Sequence, residues 1–258
     1  MKLAVDYYPF LKYYHGGPKV FLKRLVDSIH KQKITSVYSP FFPFYEVALF
    51  SVYNKSIYNK KYVLRVDGIY FDILNTYGNT DFLNKKIFDS IDKAEGIVFI
   101  SEFSKKIVER FHGKIDKPNI VIHNKVPLNI FNSSGNNYRS KLNFKKTDKV
   151  LITSAHWRRH KRLEETIELL NHLNKNNNEF KLIVLGGENK NLSNKNIFFA
   201  GEISPDKLGD WYRTADLYIH LAWIEPCGNT QIEAMACGLP VICCNNGGIG
   251  ETVNLSSG

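Results

Sequence analysis

Residues 216–244 read DLYIHLAWIEPCGNTQIEAMACGLPVICC. The apolar run Asp216–Leu221 predicts a buried strand, and Thr230–Cys237 has the apolar spacing of a helix. The run Pro240–Cys244, which follows a Gly-Leu turn, predicts a second strand. A strand, a helix and a strand in this order form a βαβ unit, and such units imply a parallel sheet covered by helices.

The same alternation recurs along the chain and predicts an α/β fold of two consecutive doubly wound, Rossmann-like units. In the first unit the predicted strands are Lys2–Asp6, Ile34–Tyr38, Tyr62–Val66, Gly96–Ile100 and Asn119–Ile122, and the predicted helices are Lys19–Lys31, Phe82–Asp92 and Ser104–Phe111. In the second, the further strands are Lys149–Thr153, Phe180–Leu185 and Ile197–Phe199, and the further helices are Arg162–Asn174 and Pro205–Tyr212. A polar segment between Phe131 and Asp148 predicts a linker, so we expect domains at 1–135 and 136–258. Ligands of open α/β sheets bind near the strand carboxyl ends, so we expect a cleft between the domains.

The composition narrows the class of protein. The 258 residues carry a formal net charge of +10, which suits an anionic partner, although a Lys- and Asn-rich coding bias explains the excess more simply. No nucleic-acid-binding motif occurs, so we expect no nucleic-acid partner. The sequence also has no Walker A loop, no G-x-G-x-x-G fingerprint and no Asp-x-Asp pair, which argues against an NTPase, a typical dehydrogenase and a D-x-D metal site.

The cysteines and the N-terminus predict a cytoplasmic protein. All four cysteines lie between Cys227 and Cys244, with neither zinc-ligand nor Cys-x-x-Cys spacing, so we interpret them as buried thiols of a reducing compartment. The opening MKLAVDYYPF reaches an Asp and a Pro too early for a signal peptide.

The loop and helix within residues 225–233 carry the most specific chemistry. Asn229 is a good N-cap, and the free N–H groups at a helix start favour an anion, so a diphosphate fits over Gly228, Asn229 and Thr230. Glu233, one turn into the helix, would then reach a ribose, and Glu225 on the loop would face a sugar. Alternatively, both glutamates are ordinary polar residues at a loop–helix boundary.

The residues around these glutamates favour the first interpretation. Glu225-Pro-x-Gly precedes the helix, Glu233-Ala-Met-Ala lies in it, and Gly247-Gly-x-x-Glu251 follows the next strand. This segment closely resembles the E-x7-E signature of glycosyltransferase family 4, the retaining GT-B glycosyltransferases. The resemblance implies that Glu225 contacts the donor sugar and that Glu233 holds the nucleotide ribose.

A second cluster, Ser154-Ala-His-Trp-Arg-Arg-His-Lys161, follows the first strand of the second unit. Cleavage of a nucleotide-sugar builds negative charge on the departing diphosphate, which fixed cations stabilise. The resembled family places an Arg and a Lys here, and Lys161 matches. His156 occupies the usual position of the Arg, so Arg158 and Arg159 remain alternatives; a solvated basic turn is the non-catalytic interpretation.

Two candidates lie in the first unit. Gly16 and Gly17 follow the first strand, where the resembled family has a Gly-Gly turn against the donor phosphate or acceptor. Asp67 ends the strand Tyr62–Val66, where a carboxylate would contact the acceptor hydroxyl or the transferred sugar; a routine Asp-Gly turn is an equal alternative.

The aromatic stretch from Tyr38 to Phe50 has two interpretations. It forms an acceptor-side or membrane-facing surface, which would place the protein at the periphery of a membrane, or it packs into the core with a turn at the prolines. Core packing is favoured.

These observations predict a metal-independent, cofactor-free glycosyltransferase that moves a sugar from a nucleoside-diphosphate sugar to a glycan or lipid-linked acceptor with retention. The alternative is an inactive, truncated relative that binds a nucleotide-sugar or glycan. Relatives continue beyond Gly-Gly-x-x-Glu with further helices, so we expect the C-terminal domain to be incomplete.

Overall fold

The computed structural model describes residues 2–6, 17–56, 58, 60–72, 78–176, 179–187 and 194–253. The chain divides into two compact units, Met1–Asn124 and Lys125–Gly258. In the described ranges, every helix is too short or too polar to cross a bilayer.

In its described residues, the N-terminal unit is a six-stranded, all-parallel sheet with three α-helices. Its elements are β1 (Leu3–Val5), α1 (Gly17–Lys31), β2 (Val37–Tyr38), β3 (Val47–Ser51), β4 (Tyr62–Val66), α2 (Thr80–Lys93), β5 (Gly96–Phe99), α3 (Glu102–His112) and β6 (Asn119–Val121). The strand order is β2-β1-β3-β4-β5-β6, the doubly wound order in which the direction of winding reverses between β1 and β3.

Local sequence explains where the helices of this unit begin. The side chain of Asn79 accepts a hydrogen bond from the Phe82 amide and caps α2, and Ser101 caps α3 through the Ser104 amide. The apolar face of each helix packs on the sheet. Fully buried side chains such as Leu64 form the core, each contributing roughly 1.5–3 kcal/mol.

Where the structure describes it, the C-terminal unit is a five-stranded, all-parallel sheet with three α-helices. Its elements are β7 (Lys149–Ser154), α4 (Leu163–Leu173), β8 (Phe180–Leu185), β9 (Ile197–Gly201), α5 (Leu208–Tyr212), β10 (Leu217–His220), α6 (Asn229–Ala236) and β11 (Val241–Cys243). The strand order is β11-β10-β7-β8-β9, so the direction of winding reverses between β10 and β7.

The fold confirms the prediction of two parallel-sheet, Rossmann-like units. All ten predicted strands and six predicted helices are present, with ends shifted by zero to three residues. Strand β3 was not predicted, because it lies inside the aromatic stretch, where alternating periodicity is weak.

The segment predicted as a linker belongs to the C-terminal unit. Phe131 is fully buried in the core of that unit, against Tyr212. The Tyr138 amide donates to Thr214, and Arg139 pairs with Asp216 at 2.9 Å. The boundary therefore lies at 124/125 rather than at 135/136, because polar turn residues here fold onto the second sheet.

Replacing Phe131 with alanine tests this packing. We expect Phe131→Ala to lower the free energy of unfolding by about 3–5 kcal/mol, since it empties a fully buried aromatic site. Leu128→Ala, three residues earlier and 69% exposed, is the matched control and should change it by less than about 0.5 kcal/mol. Denaturant unfolding measures both, and equal losses would contradict the placement.

Candidate active site

The two most specific sequence clusters meet at the switch point of the C-terminal sheet. β7 and β10 are neighbours, and the chain leaves their carboxyl ends in opposite directions. The segment after β7 carries Lys161, and the loop after β10 carries Glu225. In open α/β sheets the crevice at such a point is where ligands bind.

An ion pair joins the two clusters. The ammonium of Lys161 donates to the carboxylate of Glu225, and both side chains are less than one-fifth exposed. The ring Nε2 of His220 lies 3.8 Å from the same carboxylate, outside hydrogen-bond range but close enough for electrostatic attraction. Burial raises the pKa of Glu225, but Lys161 and His220 outweigh it and hold this pKa well below its usual range.

Backbone contacts fix both loops. The Trp223 amide donates to the His160 carbonyl at 2.9 Å, which ties the loop after β10 to the turn before Lys161. On the other side, the Gly248 amide donates to the Glu225 carbonyl at 2.9 Å. Gly247 has a φ of +110°, and a Cβ there would lie 2.5 Å from the Glu225 carbonyl oxygen. The Gly-Gly pair is therefore required by the close approach of the two segments.

The residue before Glu225 is strained. Ile224 has a φ of +51°, a conformation that β-branched residues rarely adopt. The contacts of Trp223 and Gly248 hold the chain on either side of it. Strain of this kind persists where the surrounding structure imposes it, and it occurs often at functional sites.

Helix α6 begins at Asn229, next to this loop. Its N-cap is Gly228 rather than Asn229, and no side chain caps it. The side chain of Gln231 lies over Gly228 in the space that a Cβ would fill, so a larger residue at 228 would clash. Asn229 and Thr230 are the first two helical residues, and both are partly exposed. An anion can therefore meet the backbone N–H groups of this first turn.

Glu233 lies one turn further into α6 and is 4% exposed. The Tyr212 hydroxyl donates to its Oε2 at 3.3 Å, and the pKa of Tyr212 is raised by burial and by Glu233, so this hydroxyl stays protonated as a donor. The surroundings of Glu233 are therefore polar. A ribose can reach this carboxylate only if a covering group moves.

The two arginine candidates extend from the turn that ends at Lys161. Arg158, Arg159 and His156 are all exposed. Arg158 contributes to lowering the pKa of His160, after burial and Lys161, which places its charge near the ion pair. The structure leaves the choice between Arg158 and Arg159 open.

Of the candidates in the N-terminal unit, Gly17 and Asp67 lie at the carboxyl edge of its own sheet. Gly17 is the first residue of α1, and Gly16 lies outside the described residues. Asp67 follows β4 and is bound by the guanidinium of Arg65, which is 2% exposed and also donates to Asn124 at 2.9 Å. Asp67 therefore has a fixed orientation.

Sequence analysis missed the residues that support the candidates. His220 is buried at the end of β10, and its Nδ1 lies 3.4 Å from the Tyr218 hydroxyl. A histidine at the carboxyl end of a predicted strand is a signal that could have identified it. Arg65, a charge inside an apolar strand, is a similar signal.

In the part of the chain that the structure describes, no three His, Cys, Asp or Glu side chains lie close enough together to bind a metal ion.

The C-terminal unit is similar to a known protein family. Residues 135–257, nearly all of the C-terminal unit, match the family model described as glycosyl transferases group 1. The match covers just under half of the chain, and we call the C-terminal unit the group 1 unit from here on. A 50-residue segment of the chain is 48% identical to D-inositol 3-phosphate glycosyltransferase of Rhodococcus opacus, and the match covers 19% of this chain and 11% of that protein.

Solved structures extend the likeness to both units. Sucrose-phosphate synthase from Thermosynechococcus elongatus is 18% identical with a TM-score of 0.71, and the match covers 93% of this chain and 65% of that one. Anabaena HepE in complex with UDP and glucose is 16% identical with a TM-score of 0.70, covering 98% and 82%. These likenesses show the fold: the chain has the two Rossmann-like units of GT-B proteins, and the group 1 unit is the second of them.

Gly247→Ala tests the close approach beneath Glu225. We expect it to destabilise the group 1 unit by more than the roughly 1–2 kcal/mol that left-handed strain costs an alanine, because the new Cβ also displaces Glu225. Gly201→Ala is the matched control, since Gly201 has a φ of +70° with no atom near its Cβ position. Thermal unfolding compares the two, and equal shifts would show that the contact is unimportant.

Proposed function

We propose that this protein is a retaining glycosyltransferase that takes a sugar from a nucleoside-diphosphate sugar and transfers it to a glycan or lipid-linked acceptor. The observation that carries the proposal is the Lys161–Glu225 ion pair at the switch point, beside the uncapped start of α6. It provides a cation for a leaving diphosphate and a carboxylate for sugar hydroxyls in one place.

Lys161 supports the departure of the diphosphate. Its ammonium is held at the site by Glu225, and as the donor binds it exchanges this partner for diphosphate oxygens. The negative charge of the leaving group grows as its bond to the sugar breaks, so a fixed cation stabilises the transition state more than the bound donor. One of Arg158 and Arg159, both exposed on the adjoining turn, supplies further positive charge.

The first turn of α6 supports the binding of the donor. The backbone N–H groups at Gly228, Asn229 and Thr230 donate hydrogen bonds to the phosphate oxygens. Glu233 accepts hydrogen bonds from the ribose hydroxyls once the group that covers it moves. Glu225, released by Lys161, accepts from a hydroxyl of the sugar. HepE was solved with UDP and glucose, so UDP-sugars are the first donors to test.

Retention follows from attack on the face that the diphosphate leaves. The bond between the anomeric carbon and the diphosphate oxygen breaks, and the acceptor oxygen bonds to that carbon from the same side. The acceptor proton passes to the departing diphosphate oxygen, so no protein nucleophile is needed. The carboxylate of Asp67, which Arg65 fixes, is the candidate in the N-terminal unit for orienting the acceptor hydroxyl.

Release of nucleoside diphosphate from a panel of nucleotide-sugars tests the proposal. We expect Lys161→Met to lower kcat about 10²–10³-fold, as the loss of one transition-state charge contact does. Glu233→Gln should chiefly raise the donor KM, about tenfold or more, because a hydrogen bond to a charged group is lost in the ground state as well.

Lys149→Met is the control for lost charge, since Lys149 is exposed at the start of β7. It should leave both constants unchanged. The proposed site would be refuted if the wild-type protein is active and both Lys161→Met and Glu233→Gln keep that activity in full. Binding of a nucleoside diphosphate without any turnover would instead identify a binding module.

We further propose that transfer requires no metal ion and no organic cofactor, because lysine and arginine supply the positive charge at the diphosphate. Activity should therefore persist within about twofold after dialysis against EDTA. A loss that Mg²⁺ or Mn²⁺ restores would overturn this part of the proposal and leave the donor site intact.

A further inference from the structure

One face of the N-terminal unit is built differently from the rest of the fold. Parallel strands are usually joined by crossovers that contain a helix. The crossovers 39–46, between β2 and β3, and 52–61, between β3 and β4, contain no helix in their described residues. We call the surface that these two crossovers form the crossover face.

The two crossovers are fastened together. The ammonium of Lys60 donates to the carbonyls of Pro43 and Tyr45, at 2.6 and 2.9 Å. The Ser56 hydroxyl lies 3.2 Å from the Tyr45 hydroxyl and donates weakly to the Pro40 carbonyl. The turn 40–45, which we call the aromatic turn, is therefore held in place while the side chains of residues 41–44 are exposed.

Those outward side chains are aromatic. Phe41, Phe42 and Phe44 are 60%, 60% and 66% exposed, and the rings of Phe42 and Phe44 stack with centroids 6.4 Å apart. The sequence favoured core packing for this stretch, and that holds only for its second half, where Tyr45 and Phe50 are buried. Three neighbouring exposed phenylalanines form an apolar patch of the kind that marks an interaction surface.

A cavity of about 460 Å³ lies beside the aromatic turn. Residues 53–56 line one side of it, and Lys86, Ser90 and Lys93 of α2 line the other. The two meet at the Ser90 hydroxyl, which accepts from the Asn54 amide at 3.0 Å. Ser56 lines the cavity and its hydroxyl also contacts the Pro40 carbonyl of the aromatic turn, so the cavity and the turn adjoin at Ser56.

The cavity is positively charged. Of its other charged residues, Asp89 pairs with Lys85 and Lys55 pairs with Asp6, each at 2.7 Å. Among the described residues no carboxylate pairs with Lys86 or Lys93. The ammonium of Lys86 instead lies over the rings of Phe82 and Tyr53, at 4.4 and 5.4 Å. The cavity therefore suits a phosphate.

The wider surface has the same sign. Residues 1–66 contain eleven Lys and Arg against three Asp and Glu. Exposed Lys2 and Lys61 lie at the ends of the chain segments that border the aromatic turn.

We propose that the crossover face docks on a bilayer of anionic phospholipid, with Phe42 and Phe44 entering the interface and a headgroup phosphate entering the cavity at Lys86 and Lys93. A free phosphate would use the cavity alone and leave the aromatic turn without a role. A second copy of the chain would bring like charges together. A bilayer uses the apolar and the cationic parts together.

Co-sedimentation with vesicles tests this docking. Wild-type protein should bind vesicles of phosphatidylglycerol and phosphatidylcholine, bind pure phosphatidylcholine at least tenfold more weakly, and dissociate as salt is added. Phe42→Ser/Phe44→Ser should lower partitioning about tenfold or more, because the inserted apolar area is lost. Phe111→Ser, at a 58% exposed site on α3, is the matched control.

A second pair of variants tests the role of the cavity lysines. Lys86→Gln/Lys93→Gln should weaken binding about fivefold for each lysine, whereas Lys105→Gln/Lys106→Gln on α3 removes the same charge and should have a much smaller effect. All four variants replace side chains at the surface, and thermal unfolding confirms that each is folded.

Several results would overturn the docking proposal. These are equal binding to both vesicle types, no binding to either, variants no weaker than their controls, and self-association that Phe42→Ser/Phe44→Ser abolishes in the absence of lipid. Stabilisation by inorganic phosphate through Lys86 and Lys93, without vesicle binding, would assign the cavity to a soluble anion instead. None of these readouts involves the sugar donor, so failure here and failure of the proposed transfer are distinguishable.

Discussion

The ion pair between Lys161 and Glu225 is the contact on which the C-terminal site depends. It joins segments that leave two neighbouring strands in opposite directions, and only the reversal of winding between β10 and β7 brings them face to face. Because both side chains are largely buried, breaking the pair without a replacement would leave an uncompensated charge. A diphosphate can replace Glu225 as the partner of Lys161, and a sugar hydroxyl can replace Lys161 as the partner of Glu225.

Much of this arrangement was predictable from the sequence. The strand–loop–helix–strand pattern of 216–244 fixes the direction of the chain, so the glutamates, Lys161 and the start of α6 have to lie at the carboxyl edge. Helix starts were predictable as well, because Asn79 and Ser101 are capping residues whose effect is local. Local preferences and strand direction together specify most of the fold.

Contacts between distant residues were not predictable. The burial of Phe131 against Tyr212, a residue distant in sequence, turned a predicted linker into part of a core. His220 and Arg65 appeared as single polar residues in apolar strands, and only the folded chain shows that they face Glu225 and Asp67. The aromatic stretch is divided between core and surface because the crossover after β2 is too short to contain a helix. None of these outcomes follows from periodicity.

The backbone strain at Ile224 implies a conflict between the stability of the fold and the fixed orientation of the Glu225 carboxylate. A glycine or an asparagine would adopt its left-handed conformation at lower cost, so the chain forgoes stability that a single substitution could supply. The isoleucine restricts the conformations of the loop, because a β-branched residue has few of them, and so it limits the movement of the neighbouring carboxylate. Replacing Ile224 with glycine or asparagine would therefore raise thermal stability but leave the side chain of Glu225 less precisely oriented.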